Sequence, residues 1–293
     1  MTIIAILLAF ALCHFVRELG RLRKSAWLAS WVDFSNDAFG KLPGWADLLG
    51  YLVIAAVPLL VLVLINALLL SALGSLGGFV LALLVLIYSF GPQDLDTDVA
   101  AVTEASAGAE RQEALESLLG HPVPEEEKAC QAASVEAVFR EALRRWFGVI
   151  LWFAVLGIVG AFLYRMVDWL VKGDYPLTPA QRGLFRRTQQ IMDWPAAQLM
   201  TLGLAIAADF DSVFSAWKKY HDEQGHGLLE GDNGFLLASA RSIVLSGHAA
   251  RDGYADQLDG PMAALSQAMD LTWRVLGVWM TVLALLLLVG IIS

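Results

Sequence analysis

A run of 46 residues without any charge, from Leu48 to Gln93, is the feature that most constrains this chain. Two further uncharged runs of 19 residues cover 146–164 and 275–293, and residues 1–16 are apolar apart from His14. About 20 apolar residues in a helix span the roughly 30 Å hydrocarbon core of a bilayer. The first run therefore predicts two crossing helices, the next two predict one each, and residues 1–16 predict a short helix of marginal length.

These runs divide the chain into six segments. They are a short apolar helix with a basic linker (1–47), a transmembrane hairpin (48–90), a polar helical cytoplasmic region (91–145), a transmembrane or re-entrant helix (146–170), a polar region with amphipathic helices (171–271) and a C-terminal transmembrane helix (272–293). The predicted fold class is all-α, a polytopic integral membrane protein with four to five transmembrane or apolar helices. The apolar patch 194–208 is short for a span and predicts an interfacial or re-entrant helix.

Basic residues set the predicted orientation. Four Lys and Arg residues between positions 17 and 24 follow the N-terminal helix, which indicates that its C-terminal end faces the cytoplasm. Arginines just before residue 146 place 91–145 in the cytoplasm as well. If 146–164 crosses fully, 171–271 is periplasmic; if Gly157 and its neighbours break it into a re-entrant hairpin, both polar regions are cytoplasmic. We favour the second alternative, in which both polar regions lie in the cytoplasm. The predicted location is the cell inner membrane, with several membrane crossings.

Composition and motifs exclude several classes of function. The net charge of −9 argues against nucleic acid as a partner, because binding it requires clustered basic residues. Cys13 and Cys130 fall in segments of different character, so no disulfide framework is expected. His221 and His226 are five residues apart, whereas a zinc-binding helix needs a spacing of four. The glycine-rich stretch 225–234 lacks the ending of a phosphate-binding loop. No catalytic residue, metal site or cofactor is predicted.

Charged residues at the two ends of 146–164 are the candidates for recognition of a ligand or partner. They are Glu136, Arg140, Glu141, Arg144, Arg165 and Asp168. The spacing predicts i,i+4 pairs from Glu136 to Arg140 and from Glu141 to Arg145, with Arg140 and Arg144 on one face. Ionisable groups at membrane depth usually face a protein interior or a polar cavity. Two alternatives stay open here: topology determinants with a stabilising Arg165–Asp168 pair, or a binding pocket.

Several stretches of the chain resemble the AmpE family. They are Phe139-Arg140, Leu151 to Arg165, Ser89 to Leu95, and Asp193-Trp194 with the apolar patch behind it. In length and order of apolar blocks the resemblance covers nearly the whole chain. It implies an inner-membrane sensor or signalling modulator, connected with β-lactamase induction and peptidoglycan recycling. It also implies a functional partner, a cytoplasmic anhydro-muramyl-peptide amidase encoded beside it.

The AmpE family is similar in turn to the CobD/CbiB family, which forms an amide bond at the expense of ATP in making adenosylcobinamide phosphate. Glu136, Tyr164 and Arg165 match motif residues of that family. Arg140 and Arg144, however, stand where that family has acidic residues, and Asp168 stands in place of an asparagine. Because ATP with Mg²⁺ requires oxygen ligands, two arginines would instead attract an anion through their guanidinium groups.

Three functions are therefore weighed. In the first, a signalling or accessory protein contacts an anionic cell-wall fragment or nucleotide through Arg140 and Arg144, Asp168 orients Arg165, and Tyr164 belongs to the same site. In the second, an ATP-dependent amide-forming enzyme takes its metal ligands from the carboxylates Glu136, Glu141, Asp168 and Asp94. In the third, a scaffold docks a partner within the bilayer through Gly74 and Gly78.

Overall fold

The structure, a computed structural model, describes residues 2–15, 25–91, 95–105, 108–224, 232–246 and 260–289. Within these ranges the chain is all-α, as predicted, and contains no strand. The helices are α1 (Thr2–Phe15), α2 (Ala26–Phe39), α3 (Leu48–Leu73), α4 (Ser75–Ser89), α5 (Leu95–Glu104), α6 (Ala109–Leu119), α7 (Glu127–Ala142), α8 (Gly148–Lys172), α9 (Pro179–Ala207), α10 (Phe210–Gln224), α11 (Gly234–Leu245) and α12 (Gly260–Leu288). A π-helical turn, Leu143–Phe147, joins α7 to α8.

Three helical stretches are long and apolar enough to cross a membrane. They are Leu48–Leu73, Glu127–Lys172 and Met262–Leu286. The apolar helices Ile4–Cys13 and Ser75–Ser89 are shorter. Large side chains on the first stretch are turned outward, and Leu64 and Leu68 are 62% and 68% exposed. A continuous apolar surface of this kind suits contact with lipid better than contact with water.

The helices fall into two compact units, which are described separately. The first unit comprises Met1–Pro92, Gly148–Met192 and Gly290–Ser293. The second comprises Gln93–Phe147 and Asp193–Val289. Each polar region of the sequence therefore contributes most of its length to the second unit. The helix α9 belongs to the first unit up to residue 192 and to the second unit from residue 193.

In the first unit, α8 folds back on itself at Gly157, whose φ of 63° and ψ of −147° are not helical. A Cβ placed on Gly148 would lie 2.2 Å from Cζ of Tyr164, and one placed on Gly160 would lie 2.2 Å from the carbonyl oxygen of Trp152. In a straight helix, residues 148 and 164 would be about 24 Å apart. The two limbs of α8, residues 148–156 and 158–172, thus form an antiparallel hairpin.

The turn between α3 and α4 has the same backbone geometry. Gly74 there has a φ of 61° and a ψ of −148°, a combination reached almost exclusively by glycine. A Cβ placed on Gly77 would lie 2.5 Å from the carbonyl oxygen of Leu69, so this hairpin is also closely packed near its tip. Both turns occur in the sequence Leu-Gly-x-x-Gly, at 73–77 and at 156–160, and a limb of 15 residues follows each of them. The first unit therefore contains two helical hairpins whose turns have the same backbone conformation.

The core of the first unit joins α2 to these hairpins. Its buried members include Leu28 and Val32 from α2, Ile54 from α3, Met166 from α8 and Phe185 from α9. The presence of α2 differs from the expectation of a linker up to residue 47. Its apolar residues recur at helical spacing, so that one face packs into this core while charged neighbours remain outside.

In the second unit, α7 packs against α11 and α12. The indole of Trp146 lies 5.2 Å from that of Trp273, and the ring of Phe147 lies 5.0 Å from that of Trp279. α7 and the π-helical turn after it thus share one core with residues that follow position 193. The indole Nε1 of Trp273 also donates a hydrogen bond of 2.9 Å to Asp96.

Candidate functional site

The predicted site residues are divided between the two units. Tyr164, Arg165 and Asp168 lie on the second limb of α8 in the first unit. The other predicted residues lie on α7 and the π-helical turn in the second unit; they are Glu136, Arg140, Glu141 and Arg144. Each unit therefore presents its own candidate cluster.

Arg165 and Asp168 form a buried ion pair in the first unit. Nη1 of Arg165 lies 2.9 Å from Oδ2 of Asp168, and their side chains are 1% and 2% exposed. Arg165 Nε donates to the carbonyl oxygen of Ser89 at the end of α4. Gln189 Nε2 donates a 3.0 Å hydrogen bond to the other carboxylate oxygen, and Lys172 Nζ lies 3.5 Å from it. The pair thus has hydrogen-bond partners on both of its members, as a buried charge requires.

Tyr164 has a separate role in the hairpin. Its ring is 1% exposed and packs across the turn of α8 against the backbone of Gly148. Glycine at position 148 leaves the space that the phenol occupies. In the structure Tyr164 makes a packing contact that joins the two limbs of α8.

The π-helical turn positions Arg144 and Arg145 in the second unit. Such turns insert one residue into a helix and often occur at functional sites. Arg145 Nε lies 3.0 Å from Glu141, which is the i,i+4 pair that the spacing predicted, and its Nη1 donates to Asp98. Arg144 Nε lies 3.7 Å from the carboxylate of Asp193, which is 3% exposed. Both arginines are therefore held by carboxylates of the same unit.

Glu136 has a different partner from the one its spacing predicted. Its Oε1 accepts a 3.0 Å hydrogen bond from Nη1 of Arg241 on α11 rather than pairing with Arg140. The reason is packing, because α11 lies along α7 and brings a second basic residue to Glu136. Arg140 therefore makes no ion pair within 4.0 Å with Glu136. Burial lowers the pKa of Arg140, and the charges of Glu141 and Glu136 oppose that shift.

Arg140 stands out among these arginines. It is half-buried, and its Nη2 donates a 3.0 Å hydrogen bond to the carbonyl oxygen of Leu119, the last residue of α6. No carboxylate of the described residues lies within 4.0 Å of its guanidinium group. A guanidinium carries five N–H donors in a planar fork that matches phosphate and carboxylate. Arg140 therefore retains guanidinium N–H groups that could donate hydrogen bonds to an anion.

The carboxylates weighed as metal ligands do not form a cluster among the described residues. Glu136 pairs with Arg241, Glu141 pairs with Arg145, and Asp168 belongs to the other unit. Asp94 lies outside the described residues. In the part of the chain that the structure describes, no group of three or more His, Cys, Asp or Glu side chains could hold a metal ion.

The other motifs weighed from the sequence have local roles. His221 Nδ1 lies 2.8 Å from the carbonyl oxygen of Trp217 on the same helix, whereas His226 lies outside the described residues. Gly74 forms a turn, and a Cβ on Gly78 would meet Cδ2 of Leu70 at 2.8 Å, so both glycines serve the α3–α4 hairpin itself.

Tyr220, on α10 of the second unit, has a shifted pKa. Burial raises the pKa of Tyr220, and its hydrogen bond to the Asp232 carboxylate, together with the charge of that carboxylate, raises it further. The phenol therefore stays protonated and ties α10 to the start of α11.

Two long-range partners, Asp98 for Arg145 and Arg241 for Glu136, were not predicted from the sequence. Asp98 precedes Arg145 by 47 residues and Arg241 follows Glu136 by 105, so no local spacing signals either pair. The repeated Leu-Gly-x-x-Gly turn could have been found, because it is visible as a motif. Comparison of the chain with protein families, with curated proteins and with solved structures finds no match.

Proposed function

We propose that this chain is an inner-membrane accessory protein whose second unit recognises an anionic ligand through Arg140. The observation that carries the proposal is a half-buried guanidinium with one backbone hydrogen bond and no carboxylate within 4.0 Å. The resemblance to the AmpE family supplies the biological setting, which is modulation of β-lactamase induction during peptidoglycan recycling. An anionic cell-wall fragment is the ligand that this setting favours, with a nucleotide as the alternative.

The proposed membrane arrangement follows from the hairpins. The limb of α8 before Gly157, residues 148–156, is about 14 Å long, roughly half of a bilayer core. The proposal therefore makes 146–164 a re-entrant hairpin and makes α1, α3, α4 and α12 the crossing helices. α4 alone is about 22 Å long, which a bilayer accommodates by local thinning.

The packing of the second unit supports this arrangement. α7 precedes the hairpin and α11 follows it, yet Glu136 of α7 and Arg241 of α11 form an ion pair. Two helices that touch cannot lie on opposite sides of a membrane. Both polar regions are therefore proposed to share the cytoplasmic side, together with the amidase named as functional partner.

Cysteine labelling tests the arrangement. In a variant with Cys13 and Cys130 replaced by serine, single cysteines at Glu125 and Lys219 are expected to react with a membrane-impermeant maleimide only after the inner membrane is opened. A cysteine at Ser75, beside the α3–α4 turn, is expected to react from the periplasm in intact cells and serves as the control. All three positions are exposed. Reaction of positions 125 and 219 from opposite sides would contradict the re-entrant hairpin.

Binding measurements test the role of Arg140. Purified protein in nanodiscs is titrated with an anhydro-muramyl tripeptide and, as a simple anion, with inorganic phosphate. A charge-assisted hydrogen bond contributes about 1.5–3 kcal/mol, so Arg140→Gln is expected to raise Kd for the tripeptide by about 10- to 100-fold.

Arg241→Gln is the matched control for that measurement, because Arg241 is also in the second unit but its exposed guanidinium is already paired with Glu136. We expect it to change Kd by less than about twofold. Equal affinity of wild type and Arg140→Gln would exclude the proposed site. Binding of ATP with Mg²⁺ and its turnover would instead favour the amide-forming reaction.

A further inference from the structure

An apolar groove lies between the C-terminal half of α9 and α10, within the second unit. Its volume is about 210 Å³. The apolar side chains that line it are Leu202, Ala205, Phe210, Val213, Phe214 and Trp217. The anionic ligand proposed above would not enter such a groove, because its charge would lose hydration without gaining a partner. The groove therefore points to a second, apolar ligand.

The surface around the groove is apolar as well. Phe210 and Phe214 on α10 are 55% and 53% exposed, and their rings stack on one face with that of Trp217 at centroid distances of 6.0 and 5.8 Å. On α9, Leu199 and Ile206 are 44% and 61% exposed. Exposed apolar surface that continues over two helices marks a site of membrane contact in a chain with other lipid-facing helices.

The opposite face of α10 is strongly polar. It carries Lys218, Lys219, Asp222 and Glu223, and the last of these pairs with Lys219 at 3.8 Å. Aromatic residues on one face and charged residues on the other suit a helix that lies in the plane of the bilayer interface. With α10 in that plane, the groove would lie at the depth of the ester groups and upper acyl chains of phospholipids.

One end of the groove is polar. Gln198 lines it, and the buried Nε2 of Gln198 has no hydrogen-bond acceptor among the described residues. Thr201, which also lines the groove, donates its own hydroxyl to the carbonyl oxygen of Ala197. A buried amide donor without an acceptor is costly, and an ester carbonyl entering with an acyl chain would satisfy it.

We propose that the groove between α9 and α10 binds one acyl chain of a bilayer phospholipid, with the ester carbonyl at Gln198 and the chain along Leu202, Ala205 and Phe214. This site is independent of Arg140 and goes beyond the recognition of an anion. With this site the second unit itself binds lipid, and α10 anchors that unit at the membrane surface.

Photolabelling tests the proposal directly. The full-length protein is reconstituted in vesicles of phosphatidylethanolamine and phosphatidylglycerol that contain phosphatidylethanolamine with a diazirine in its acyl chain. After irradiation, labelled peptides are identified by mass spectrometry. We expect labelling within residues 198–217 to exceed that of the other exposed apolar helices. Labelling confined to α3 and α12, or a cross-link from this groove to another protein, would overturn the proposal.

Variants that fill the groove provide a second test, with a variant outside the groove as the control. Ala205→Trp is expected to lower labelling of residues 198–217 by about tenfold or more, whereas Ile206→Trp, whose side chain does not line the groove, is expected to leave it within about twofold. Because Ala205 is 7% exposed, Leu202→Trp at a 51% exposed position gives a second variant that fills the groove with less risk to folding. Equal labelling in all three variants would show that no acyl chain occupies the groove.

Discussion

Replacing Asp168 with alanine is expected to destabilise the folded protein by about 3–5 kcal/mol, because the substitution leaves the Arg165 guanidinium buried without its counter-ion. The two side chains are 1% and 2% exposed, so the guanidinium is left in a site that is largely shielded from solvent. Gln189 also loses the acceptor of its 3.0 Å hydrogen bond. The effect is measured as a shift of the thermal unfolding midpoint of purified protein in detergent, at equal protein and detergent concentrations.

A double variant separates this explanation from a general loss of packing. Replacing both charges, as in Arg165→Met with Asp168→Leu, is expected to recover most of the lost stability, since apolar pairs of similar volume often substitute for buried ion pairs. Glu223→Gln is the surface control. It removes an i,i+4 partner of Lys219 whose side chain is 75% exposed, and its effect is expected to be near zero. A double variant as unstable as Asp168→Ala would refute the unpaired charge as the cause.

Gly157→Ala is expected to destabilise the hairpin of α8 by about 1–3 kcal/mol, because an L-residue is strained at the backbone conformation that the turn requires. Gly74→Ala is expected to have a similar effect, since the two turns differ by only 2° in φ, 63° against 61°. No neighbouring atom lies within 4 Å of a Cβ at either position, so the effect reports on the backbone and not on a clash. Thermal unfolding in detergent measures both variants.

Gly183→Ala is the matched control for the two turns. Gly183 lies inside α9 with helical neighbours, and a Cβ there would also meet no atom within 4 Å. Alanine at that position is expected to stabilise the protein by up to about 1 kcal/mol, because it lowers the entropy of the unfolded chain. If all three alanine variants were stabilising, the glycine turns would be ordinary helix and the hairpin would be absent.

The positions of the apolar helices could be predicted because they depend on local composition. The uncharged runs located α3, α4, the first part of α8 and the end of α12 within a few residues. The break at Gly157 was one of two alternatives, since glycine in a helix at membrane depth is compatible with both a turn and a straight span. The structure shows a non-helical backbone at Gly157 and a close approach of Gly148 and Tyr164.

The linker and the long-range pairs could not be predicted. α2 was missed because Leu28 and Val32, which form its buried stripe with Ser35, lie among tryptophans and acidic residues, so that a linker was expected up to residue 47. α9 continues through Pro195, although a proline normally marks a boundary. The partners of Glu136 and Arg145 are set by which helices touch, and a single sequence carries no record of that.

The hydrogen bond from Arg165 to the carbonyl oxygen of Ser89 joins two parts of the chain that are synthesised at different times. Ser89 is made 76 residues before Arg165, at the end of the first hairpin. When the second hairpin leaves the ribosome, its guanidinium needs that oxygen and the Asp168 carboxylate in order to leave water at a tolerable cost. The first hairpin is therefore already synthesised when Arg165 is made, and burial of that guanidinium joins the second hairpin to the first.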